Sequence, residues 1–201
     1  KLPLVLGGQC ASSLLDTYQA ERDDHAHDLV SWAVDMGHLM QHVAATEAAE
    51  RDGEELPQMQ QTSQKSGYGQ GREQPPIRSG VVMTAQVSNE GASGYLLPQP
   101  VVRNSNGEEV RFDDLLGAHF AVVSHEPARF DAASTAVINA LKIKVIDVSA
   151  LEIVYGKFPD LLQAGEALLL RPDRLVFGHT DPDVTLDSLL TRLAESLHYS
   201  R

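Results

Sequence analysis

The chain has 201 residues, a net charge of −12, a 42% hydrophobic share and only 5% aromatic residues. That supports one ordinary domain with an aliphatic core, or a compact domain plus an extra segment. A chain this acidic repels phosphate backbones and anionic membrane surfaces, so neither nucleic acid nor membrane is an expected partner. A single cysteine, Cys10, excludes an internal disulfide, a CxxC redox pair and a cysteine-based zinc site, and suits a reducing, cytoplasmic setting. Apolar runs such as Phe120-Ala121-Val122-Val123 and Ala167-Leu168-Leu169-Leu170 fall far short of the ~20 residues of a membrane span.

Lys1 to Gly8 has no signal-peptide pattern, since Leu2 to Leu6 is too short an apolar core. The chain reads as starting inside a longer polypeptide. Residues 1–56 then form a long helix. Ser12 and Ser13 offer N-caps, Asp16 suits the positive end of the helix dipole, and no proline occurs from Ala11 to Leu56. One stripe runs Leu15, Tyr18, Arg22, His25, Leu29, Trp32, Met36, Leu39 and Val43, at the three-four spacing of a helix face. Its polar members, Arg22 and His25, fit a helix laid on a large partner surface. The stretch Ala44 to Glu55 is acidic, and the helix is expected to fray there.

Residues 57–100 are rich in Gln, Gly and Pro and carry little periodicity, which predicts a linker or an arm laid over another domain. The most apolar parts are Ile77 to Val87 and Tyr95-Leu96-Leu97.

Residues 101–201 read as a compact α/β unit. The expected elements are a turn at Gly107, a helical turn at Phe112–Leu116 stopped by Gly117, and a buried strand at His119–Ser124. A helix capped by Asp131 runs to Leu141, followed by a strand at Lys142–Val148 and a short helix at Phe158–Gln163. Two strands, Ala167–Arg171 and Leu175–Gly178, are joined by Pro172-Asp173, and an amphipathic helix spans Thr185–Leu197. The order β-α-β-α-β-β-α, with a parallel crossover and an antiparallel hairpin, is that of a thioredoxin-like domain. The place of a redox pair holds Ser124-His125-Glu126-Pro127, and no proline precedes the third strand, so redox chemistry is not expected.

The remaining candidates are weak. His38 and His42 have metal-ligand spacing, yet they read as polar-face histidines, with only Asp35 as a third ligand. His25 and His27 cannot share a helix face. His125 reads as a loop histidine, Cys10 as an unactivated thiol, and Trp32 and Met36 as packing residues. Asp16 and Glu21 do not form an acid/base pair. No catalytic, cofactor-binding or metal-binding residue is expected.

The stretch Leu14-Leu15-Asp16-Thr17-Tyr18-Gln19-Ala20-Glu21-Arg22 resembles the helix closing the FAD domain of class A flavoprotein aromatic hydroxylases. Pro98-Gln99-Pro100, Phe112 to Phe120 and Leu169-Leu170-Arg171-Pro172-Asp173-Arg174 resemble segments of the thioredoxin-like C-terminal domain of the same enzymes. Within these enzymes the chain resembles the 3-(3-hydroxyphenyl)propionate and phenol hydroxylases. The chain departs from the pattern at Asp23-Asp24, where the family has proline, and at Arg174, where it has glycine.

The resemblance implies a C-terminal fragment of an FAD- and NAD(P)H-dependent aromatic monooxygenase. Residues 1–56 would be the closing helix of an FAD domain outside this chain, 57–100 an arm, and 101–201 the thioredoxin-like domain. Leu15, Tyr18, Glu21, Arg22, Leu29 and Trp32 would then contact the FAD domain. No GxGxxG motif is present, because Gly67, Gly69 and Gly71 are wrongly spaced. An alternative reading is a non-enzymatic interaction module that forms a homodimer.

Overall fold

The computed structural model describes residues 1–52, 75–87, 92–158, 162 and 165–199. A short helix α1 (Leu2–Leu6) leads through a 3-10 turn at Ser12–Leu15 into the long helix α2 (Thr17–Asp52). Neither Ser12 nor Ser13 caps a helix by its side chain; the two serines lie inside the 3-10 turn, which is preceded by Ala11. Thr17 returns its hydroxyl to the Leu14 carbonyl at 2.7 Å. The helix continues through the stretch expected to fray, as far as Asp52.

A four-stranded sheet forms the centre. Its strands are β3 (Ala121–Ser124), β4 (Lys144–Asp147), β6 (Ala167–Leu170) and β7 (Val176–His179), in the order β4-β3-β6-β7. β3 and β4 are parallel, joined by α4 (Ala132–Leu141); β3 and β6, and β6 and β7, are antiparallel. α5 (Leu186–Ser196) follows β7. Asp131 caps α4 by accepting from the Ser134 N–H at 2.6 Å, and Thr185 caps α5 by accepting from the Ser188 N–H at 3.2 Å.

A second, three-stranded sheet was not expected. β1 (Val101–Arg103), β2 (Glu109–Arg111) and β5 (Glu152–Tyr155) run in the order β2-β1-β5, and α3 (Phe112–Leu116) follows β2. β5 is exposed along its whole length, so it carries no inside–outside alternation for a sequence reading to detect. Most of the helix expected at Phe158–Gln163 lies outside the described residues.

Burial explains the central strands. β3 and β6 are covered on both faces and are apolar throughout apart from Ser124. Val122 and Leu169 point to one side, into a cluster with Val137, Leu141, Phe177, Leu189, Leu190 and Leu193 from the helices and β7. Ala121, Val123, Leu168 and Leu170 point to the other side, against Val102, Phe112 and Leu116. Phe112 meets Phe158 edge-on, with centroids 4.8 Å apart.

The outer edge of β7 is covered by the chain itself. Met83 donates to the Phe177 carbonyl at 2.8 Å, and Gly94 donates to Val176, which donates back to Tyr95, each at 2.9 Å. This segment satisfies backbone groups that an open edge would expose to other chains. Among the described residues, no helix is long and apolar enough to cross a membrane.

Leu169 is fully buried in a central strand. Leu169→Ala should therefore destabilise the chain by about 2–5 kcal/mol, read as a lower urea midpoint at an unchanged m-value.

Candidate functional site

The most unusual chemistry of the described residues is a buried cluster of charges. Glu21, on the second turn of α2, is 5% exposed, and Arg171, one residue beyond β6, is 6% exposed. The two groups form a fork: Arg171 Nη1 donates to Glu21 Oε1 and Nη2 to Oε2, each at 3.0 Å. Lys1 Nζ lies 2.7 Å from Glu21 Oε1, and the Val81 N–H donates to the same oxygen at 2.8 Å. The rest of the guanidinium is also used. Nη1 donates to the Val81 carbonyl at 2.9 Å, while Nε and Nη2 donate to Asp173 at 3.1 and 2.7 Å.

Burial pushes the Glu21 carboxyl upward, but the hydrogen bonds and charge of Arg171, with Lys1 and the Val81 N–H, outweigh it and hold the group below its ordinary range. Arg171 is raised: burial opposes its charge, and Glu21 and Asp173 more than offset that. Lys1 is lowered, because burial outweighs its bond to Glu21.

A strap of chain at 78–82 crosses α2 here. Arg78 pairs with Asp28, Ser79 donates to the Ala20 carbonyl, and Val81 joins the cluster. Gly80 has φ +82°, and a Cβ there would sit 2.4 Å from Glu21 Cγ, so only glycine lets the strap pass this close. His25, one turn beyond Glu21, is buried, and its Nδ1 has no hydrogen-bond partner among the described residues. Burial pushes the ring toward neutrality; Arg22 and Arg78 add to that, and Asp28 opposes it.

α2 therefore has two faces. The stripe read from the sequence divides between them: His25 turns inward with Glu21, while Leu15, Tyr18 and Arg22 are exposed. Leu29 and Trp32 are half-buried at the margin. The open side carries Tyr18 at 65%, Val30 at 63% and Val34 at 52% exposure. Of the residues expected to contact an outside body, Glu21 is the one whose carboxylate is taken up within this chain.

Sequence reasoning missed the partners of Glu21. The available signal was Arg171 itself, a cation directly after the apolar run Ala167–Leu170, in the other resembling segment. The Arg174 departure also has a structural counterpart. Arg174 has φ 70°, the left-handed region that suits glycine, and its side chain pairs with Asp113 at 2.9 Å and donates to the Gly117 carbonyl at 2.7 Å.

The other candidates lie apart from this cluster. Burial pushes the Cys10 thiol up, away from the reactive thiolate. Ser124 donates to the Glu126 carbonyl at 2.6 Å. His38 is exposed, and the His42 side chain lies outside the described residues. Among the described residues, no three His, Cys, Asp or Glu side chains gather as a metal site. A cavity of about 490 Å³ opens beside the cluster, walled by Leu4, Val81, Phe120, Leu141 and Leu197. Two of its cations, Lys1 and Arg171, are already bound to Glu21.

Glu21 and His25 are both lowered, so each contributes stability that is present above its unfolded pKa and lost as pH falls through its folded pKa. Stability should fall first as pH drops through and below the histidine range, then again through the carboxylate range. His25→Leu should make the upper limb shallower, leaving the share of His179, which burial also lowers, and Glu21→Gln should do the same to the lower limb, measured as urea midpoints from pH 7 downward.

Residues 94–196 match the family model described as the HcaD C-terminal domain. The whole chain is similar to a 3-(3-hydroxy-phenyl)propionate/3-hydroxycinnamic acid hydroxylase of Klebsiella pneumoniae (strain 342), at 27% identity over 98% of this chain and 40% of that protein. The Escherichia coli (strain K12) protein of the same name is 25% identical over 100% of the chain and 40% of its own length. The chain thus spans about 40% of the length of these curated relatives. Among solved structures, aklavinone-11 hydroxylase with FAD and aklavinone shares the fold over 98% of this chain and 37% of its own, with a TM-score of 0.63 and 23% identity. The flavin-dependent monooxygenase PieE with FAD and substrate does so over 97% and 42%, with a TM-score of 0.60 and 16% identity. With its family model covering β1 through α5, the chain belongs to the HcaD C-terminal domain family.

Proposed function

We propose that this chain is the C-terminal part of a cytoplasmic flavoprotein monooxygenase that hydroxylates a phenolic ring using FAD, NAD(P)H and O2, and that the part itself is structural. On this reading, residues 1–56 close the FAD domain, 57–100 form an arm, and 101–201 are a thioredoxin-like domain without its CxxC pair. The relatives named as 3-(3-hydroxy-phenyl)propionate hydroxylases support a phenol bearing a short carboxylate chain as the substrate class.

The observation that carries the proposal is the two-faced helix. α2 is fixed by Glu21 on its inner side yet leaves Tyr18, Arg22, Val30 and Val34 exposed, as is Leu15 of the preceding turn. Tyr18, Val30 and Val34 are exposed apolar side chains interleaved with polar residues and the Arg22 guanidinium, and on this reading the larger body covers them. Leu29 and Trp32 lie at the edge of that contact, and Glu21 orients the helix from behind.

The described residues do not fit a flavin. The cavity beside the cluster offers mainly an apolar wall; its Arg171 and Lys1 are consumed by Glu21, and Lys142, exposed at its rim, is the remaining lysine or arginine of its lining. The flavin chemistry therefore falls to the rest of the enzyme, and no step of it is assigned to these residues.

Two measurements test this. The full-length protein should purify with flavin absorbance and couple NAD(P)H oxidation to hydroxylation of a 3-hydroxyphenyl acid; the 201-residue chain should not bind FAD stoichiometrically in calorimetry. Stoichiometric binding by the chain would overturn the division of labour. In addition, Arg22→Glu with Val30→Asp should change the stability of the 201-residue chain by no more than ~0.5 kcal/mol per site. The same pair should cost the full-length enzyme much of its bound flavin.

A further inference from the structure

The Glu21–Arg171 cluster joins four segments that are far apart in sequence: the start of α1 through Lys1, α2 through Glu21, the strap through Val81, and the β6–β7 turn through Arg171 and Asp173. We infer that it acts as a docking clasp, holding α2 and the strap in one orientation on the four-stranded sheet, so that breaking it releases both while the sheet stays folded. The inference concerns this chain's own contacts and holds whatever body meets the open face of α2.

Three observations support a clasp over a merely stabilising pair. First, the bonding is complete. A guanidinium has five N–H donors, and here they go to two Glu21 oxygens, the Val81 carbonyl and both Asp173 oxygens. Lysine could not reproduce that fork. Second, apart from the 3-10 turn at Ser12–Leu15, α2 makes no extensive contact with any other described helix or strand. Its hold on the sheet therefore runs through the cluster, the strap and, at its N-terminal end, the buried Leu14 of that turn. Third, the strap is bound on both sides. Ser79 and Arg78 tie it to α2, while Met83 and Gln86 tie it to Phe177 and His179 of β7. The groups facing the Glu21 carboxylate are Lys1, Arg171 and the Val81 N–H, with Asp173 beyond the guanidinium.

The test uses the 201-residue chain. Trp32 is its only tryptophan and lies on α2, so its emission reports the position of that helix. In Glu21→Gln and in Arg171→Lys, native-state hydrogen exchange should show the amides of 77–83 losing protection by roughly 10²- to 10⁴-fold, the scale of breaking a buried ion pair. Trp32 emission should shift to the red, while the amides of Val122 and Leu169 keep their protection. If either variant fails to fold, Asp173→Asn provides a milder break, because the Asp173 side chain is 50% exposed. It should cause a smaller loss confined to the same strap amides. Equal loss of protection in strap and sheet, or no loss in the strap, would overturn the clasp.

Discussion

A carboxylate removed from water must be met by charge and by donors, or it will not stay ionised. Glu21 is such a group, and the surrounding chain is arranged to meet it. Arg171 closes β6 at the right depth, the strap brings a backbone N–H, and α1 places Lys1 over the same oxygen. None of these contacts is local in sequence. Each constrains a different segment, so the positions of α1, α2, the strap and the β6–β7 turn are solved together.

The sheet makes this possible. β3 and β6 are covered on both faces, which leaves the ends of the strands as the places where polar groups can act. Arg171 follows directly on Leu170, at one such end, with its hydrophobic predecessors fixing its height. Just past Val81 the chain goes on, through Met83, to cover the free edge of β7, so charge compensation and edge protection come from neighbouring residues.

Much of this was legible beforehand, and for identifiable reasons. α4 and α5 announced themselves by caps and periodicity, and the central strands by unbroken apolar runs ended by turn residues. β1, β2 and β5 did not, since short strands that are exposed or only partly buried lack both signals. The helix stripe was read as one face because spacing alone cannot tell which side of a helix meets its own chain. His25 and Arg22 lie at adjacent stripe positions, yet one is buried and the other exposed. The cluster was invisible for a deeper reason. Glu21 and Arg171 are separated by 150 positions, and no local rule pairs them.

The turn after Arg171 has a different kind of consequence. At Arg174 a long side chain takes a left-handed backbone conformation, and its guanidinium reaches across to Asp113 and the carbonyl of Gly117. The tip of the β6–β7 hairpin is thereby tethered to the end of α3. A position that would tolerate glycine as a simple bend has become half of a pair. Among descendants of this sequence, exchange at 174 and exchange at 113 should occur jointly, leaving a correlated trace in an otherwise permissive loop.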